Sequence, residues 1–146
     1  MVNNIMILFE FTSYINPPTK NEKDKIDVWS KRQNRKVKII NPSYKKIWEE
    51  IHSQMYQKKF GMNKAQFKLL KPSERAKLQK TLSEKEVIVT LWNGFHRMDL
   101  RNFTDELYDR LQGIAYKNDR QVVQDQGFMD RKSEKEYFKI IVEEME

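Results

Sequence analysis

Seven residues in the middle of the chain, EVIVTLW (86–92), limit its architecture most. β-Branched and aromatic side chains dominate the run, so it reads as a central strand. A different period follows. Leu100, Phe103, Leu107, Leu111 and Ile114 form an apolar stripe at helical spacing, and Gly113 suits a C-terminal stop. Then RQVVQDQGFM (120–129) and EYFKIIVEE (136–144) read as two more strands, joined by the polar turn DRKSEK (130–135).

The first half supplies the rest. IMILFEF (5–11) reads as a buried first strand, ended by the prolines of NPP (16–18). Residues 20–38 are polar and charged, an exposed loop or ragged hairpin with KVKII (36–40) as a short edge strand. NPSYKKIWEEIHSQM (41–55) predicts a helix. Asn41 caps it, Pro42 fits its first position, and Tyr44, Ile47, Trp48, Ile51 and Met55 share one face. Residues 61–82 read as a helical insertion, with Pro72 starting a short helix. The order predicts an α/β fold: a small mixed β-sheet with packed helices, in a single domain over 1–146.

Length and charge agree with that picture. The 146 residues suit one domain, which buries about two-thirds of its unfolded surface. The formal net charge of +7 favours polyanionic partners. With no cysteine, disulfides, thiolate metal sites and cysteine nucleophiles are excluded, which fits a reducing, cytoplasmic setting. The longest apolar run is too short to span a bilayer and is interrupted by Glu10, so no membrane partner is expected.

The chemistry concentrates in HRMDLRNFTDELYDRLQGIAYKNDRQVV (96–123). Asp99 falls where a strand ends and a helix begins, and Asp119 in the turn before the next strand. Such positions serve as an N-cap and an ordinary turn residue. Brought together, the two carboxylates could instead hold Mg²⁺, a hard ion bound through oxygen, which polarises a phosphodiester and activates water.

DLRNF (99–103) and YDRLQGIAYKNDRQVV (108–123) resemble the signature of the RusA family of Holliday-junction resolvases. That signature reads as D-[LI]-D-N-L, a lysine in the same helix, an aspartate, D-A-L, a G-x-[AW]-[YW] turn and D-D-x-Q-[VI]-V. FEFTSYINPPTKN (9–21) is similar to the family's first strand and its proline-proline loop. The resemblance covers nearly the whole chain except residues 61–82, and GIAYKNDRQVV (113–123) is its most specific part. It implies a RusA-like homodimer that nicks four-way junctions symmetrically, with one Mg²⁺ site per subunit. It makes Asp99 and Asp119 the catalytic, metal-binding aspartates. Asp109 matches an aspartate within the helix, Asn102 the motif's asparagine, and Asn118 the usual neighbour of the last aspartate.

Two positions depart from the pattern. Arg101 stands where the family has an aspartate, and Asp105 where it has the lysine. A cation in place of a ligand carboxylate opposes a bound cation by about 4 kcal/mol at 4 Å, roughly a thousandfold in affinity. Positions 101 and 105 are i and i+4 on the expected helix, so the charges are inverted between neighbours. The expectation is junction binding with cleavage weakened or lost. The alternatives are an active Mg²⁺ endonuclease that uses Asp105, and an inhibitor or interaction module built on a dead resolvase fold. For DNA contact the sequence offers Lys20, Lys31, Arg32, Arg35, Lys36 and Lys38, with His96 and Arg97 beside the acidic motif. Tyr14, Trp29 and Phe95 could stack on opened bases, although aromatics of this kind are more often buried in the core.

Overall fold

A computed structural model describes residues 6–18, 26–39, 41–96, 98 and 103–145. Among them a four-stranded sheet runs in the order β1-β6-β4-β5. Its strands are β1 (Met6–Ser13), β4 (Val87–Asn93), β5 (Val122–Met129) and β6 (Phe138–Glu144). β4 pairs antiparallel with β6 and parallel with β5, so the sheet is mixed. A parallel pair needs a crossover, and α4 (Thr104–Leu111) lies within it. β2 (Ile26–Ser30) and β3 (Arg35–Ile39) pair antiparallel in a sheet of their own.

The central strand stands as expected, between β6 and β5. The first strand differs from its expectation: β1 is an edge strand, buried on one side only, through Phe9, Phe11 and Ser13. Successive strand residues point to opposite faces, so an apolar run does not by itself require two covered faces. The last two strands also exist, yet β5 and β6 are not neighbours, because β4 lies between them. Their connection crosses the end of β4: Asp130 N–H donates to the Asn93 carbonyl at 2.8 Å, and Gly94 N–H to that of Tyr137 at 2.7 Å.

α1 (Pro42–Phe60) outruns the expected helix by one turn and ends at Gly61, whose φ of 73° closes it. The Asn41 side chain accepts from Ser43 N–H, as its capping role requires. Tyr44, Trp48, Ile51 and Met55 are buried, and Ile47 packs beside them. Residues 61–82 hold two helices, α2 (Lys64–Leu69) and α3 (Pro72–Gln79). Only the second carried a clear start signal in the sequence. α2 is set by an Asn63–Gln66 capping box and by Phe67, which stacks on Phe60 at 4.9 Å.

One face of the sheet makes the core. Val87, Val89 and Leu91 of β4 and Phe138, Ile140 and Val142 of β6 pack with Trp48 and Ile51 of α1 and Leu107 and Leu111 of α4. An ionic network joins the helices above it. Glu49 of α1 accepts from Lys64 of α2 at 2.8 Å and from Arg110 of α4 at 3.2 Å, and Arg110 also meets Glu106 at 2.9 Å. Among the described residues, no helix is long and apolar enough to cross a membrane.

Candidate functional site

The acidic stretch leaves β4 through a braced turn. Asn93 is fully buried; its Oδ1 accepts from Phe95 N–H at 2.9 Å and its Nδ2 donates to the Met98 carbonyl at 3.4 Å. A buried amide needs such partners, and here they fix the path from β4 to Met98. Phe95, a candidate for base stacking, is instead core, 2% exposed and packed against Phe138. Its neighbour His96 is surface-accessible, with Nδ1 3.9 Å from a Glu136 oxygen. Arg97, Asp99, Leu100, Arg101 and Asn102 lie outside the described residues, as does Lys20.

The chain returns at Phe103, whose ring sits 5.6 Å from that of Phe138. Phe138 pairs with Asn93 across the sheet. Both described flanks of the acidic motif, Met98 and Phe103, therefore lie where β4 finishes.

Asp119 lies at the other end. It opens a short 3-10 turn over Asp119–Gln121 that feeds β5, and Val122 pairs with Val87 at the start of β4. Gln121 clamps the turn, donating to the Ser83 and Lys85 carbonyls at 2.8 Å each. The Asn118 side chain accepts from Arg120 N–H at 3.0 Å, which makes it a cap. β4 spans 7 residues, so on the order of 20 Å separates its two ends. An Mg²⁺–oxygen bond is about 2.1 Å.

Asp105 and Asp109 are exposed, one helical turn apart. Asp109 and Asp119 both act on the Tyr116 phenol. Burial pushes that phenol up first, and the neighbouring Tyr108, Asp119 and Asp109 add to it. Tyr116 stays protonated and donates to the Tyr108 carbonyl at 3.1 Å. Among the described residues, no three His, Asp or Glu side chains stand close enough to hold a metal ion.

The basic segment is better defined. Lys31 and Arg32 are exposed in the turn of the β2–β3 hairpin, and Arg35, Lys36 and Lys38 are exposed along β3. Asn34, at φ 50°, closes the turn, a conformation that asparagine tolerates. Register sorts the side chains. Trp29 lies opposite Lys36 and Asp27 opposite Lys38, while Val28 and Val37 take the reverse face. One face thus carries a 60% exposed indole opposite Lys36 and diagonal to Lys38, with Asp27 on the same face. Tyr14 is exposed as well, with Lys135 Nζ 3.9 Å above its ring.

Two further aromatics face away from the core. Trp92 and Phe128 project from the sheet face opposite the core, 37% and 41% exposed, with rings stacked at 4.6 Å and 22°. The signal was present: in VIVTLW, Val87, Val89 and Leu91 take one parity and Trp92 the other. No family model matches the chain, and no curated protein matches it.

Proposed function

We propose that the protein binds branched DNA, of the four-way type suggested by its resemblance to RusA resolvases, and that it does not cut it. The observation that carries this reading is the outward face of the β2–β3 hairpin. Trp29, Lys36 and Lys38 there pair an exposed π surface with cations, the combination that holds nucleic acid through base stacking and phosphate contact. Loss of cleavage is supported by Arg101 in the acidic motif and by the distance between Asp119 and Met98's end of the sheet. In the RusA scheme Mg²⁺ would be held by Asp99 and Asp119 and would polarise the phosphodiester; Asp99 lies outside the described residues.

The test is a gel-shift series with a labelled four-way junction and a linear duplex over a range of salt, followed by incubation with Mg²⁺ or Mn²⁺. Expected are a preference for the junction, binding that weakens steeply with salt, and intact strands. Lys36→Ala with Lys38→Ala should reduce the salt slope by about 2. Equal, salt-insensitive binding of both DNAs would favour a protein-interaction module instead. Symmetric nicks that vanish in Asp99→Asn and Asp119→Asn would establish a working resolvase. A second reading, cleavage by a rearranged site, draws on the exposed Asp105–Asp109 ridge of α4. It requires those nicks to vanish in Asp105→Ala as well.

A further inference from the structure

The open face of the four-stranded sheet has a definite pattern. Register places Thr12, Lys139, Trp92 and Phe128 in one row across all four strands. The next row holds Glu10, Ile141, Thr90 and Gln126, in which Gln126 Nε2 donates to Thr90 Oγ1 at 3.1 Å. The buried side chains of α1 and α4 pack on the opposite face; at the β1 end, Glu10 and Thr12 line a pocket with Gln54, Gln57 and Lys58 of α1, and the β5 end, with Phe128, is exposed.

β5 is an edge strand, so among the described residues no further strand stands beside Phe128 to continue the stack. Trp92 already occupies one side of the Phe128 ring. The amides of Gln124 and Gln126 are exposed along the same strand, and each offers a donor and an acceptor. Arg131 and Lys132 are exposed just beyond its end.

We propose that this face binds an unpaired stretch of DNA, with one base extending the Trp92–Phe128 stack on the outer side of Phe128. Gln124 and Gln126 meet base edges, and Arg131 and Lys132 meet phosphates. The proposal rests on the DNA-binding reading and adds the single-stranded element that a branch point exposes. Charge favours this occupant over a second copy of the chain. Two molecules of net charge +7 repel, whereas a polyanion is drawn in.

The experiment measures fluorescence anisotropy of a labelled twelve-nucleotide oligothymidylate and of a blunt duplex, with Phe128→Leu, Trp92→Leu and the Lys36→Ala, Lys38→Ala pair. Circular dichroism and sedimentation accompany each variant. Leucine keeps the apolar bulk and removes the ring. Phe128→Leu should weaken oligothymidylate binding about tenfold and leave duplex binding within about twofold, whereas the lysine pair weakens both. Wild-type oligothymidylate affinity in folded Phe128→Leu and Trp92→Leu overturns the proposal and leaves the hairpin reading intact. Failure of the wild-type protein to bind either DNA overturns both. A dimer that becomes a monomer in Phe128→Leu makes the face a subunit interface and overturns the proposal too.

Discussion

The two tryptophans at Trp48 and Trp92 mark opposite sides of one sheet and opposite uses of the same side chain. Trp48 is fully buried, 6.5 Å from the Phe103 ring and under the Arg110 guanidinium. Trp92 is more than a third exposed and touches one aromatic neighbour. The first joins helices to sheet; the second leaves a surface free. The sharpest way to break this contrast is truncation of each. Trp48→Ala should cost about 3–5 kcal/mol in urea unfolding, from lost burial and an unfilled cavity. Trp92→Ala should cost under about 1 kcal/mol, the range of an exposed cross-strand pair. Equal losses would mean that the open face is packed in solution.

A smaller effect tests the join between the faces. Gly94 follows β4, and a Cβ there would lie 2.5 Å from the Tyr137 ring. Its φ is not positive, so the requirement is space and not backbone freedom. Gly94→Ala should destabilise by about 1–3 kcal/mol through overpacking. Tyr137→Ala in the same chain should recover part of that loss. Additive effects would show that the alanine disturbs something other than this contact.

Strand and helix positions were legible because each rests on local pattern. The Asn41 cap, the Pro42 start and the Tyr44–Met55 face fixed α1, and β-branched content fixed β4. What failed was pairing. The exposed β5 and the largely buried β6 look alike as short strands, and only long-range topology puts β4 between them. Phe95 takes the core alternative for a related reason. An aromatic after a strand can face either way, and Asn93 turns the chain so that this one enters the core. The candidate site was legible as residue types and not as geometry. Asp119 and the flanks of Asp99 lie at opposite ends of β4, a fact that sequence spacing cannot carry. The hairpin cations were readable as a charge run, but Trp29 standing opposite Lys36 needed the register.

A pH-dependent effect concerns the helix-covered side alone. His52 of α1 places Nδ1 3.3 Å from Arg110 Nη1, and its Nε2 is buried with no hydrogen-bond partner among the described residues. Burial, then the charges of Lys64 and Arg110, hold this histidine down at about 4. The unfolded chain takes up the proton first, near pH 6.5. Stability from the neutral ring is therefore complete above pH 6.5 and is lost as the pH falls from 6.5 through 4. For Glu49, burial works upward, but Lys64 and Arg110 outweigh it and hold the carboxyl at about 2. That contribution is present above about pH 4.5 and is lost toward pH 2, in a separate window. Partial exposure screens both, so the histidine's share is on the order of 1–2 kcal/mol. Urea midpoints at pH 7, 5.5 and 4.5 should fall in the wild type and fall less in His52→Gln, which keeps an acceptor for Arg110. Trp92→Leu should leave the wild-type pH profile unchanged, because the open face takes no part in this network. A His52→Gln profile parallel to the wild type would assign the acid loss to carboxylates and remove the histidine from the contrast between the two faces.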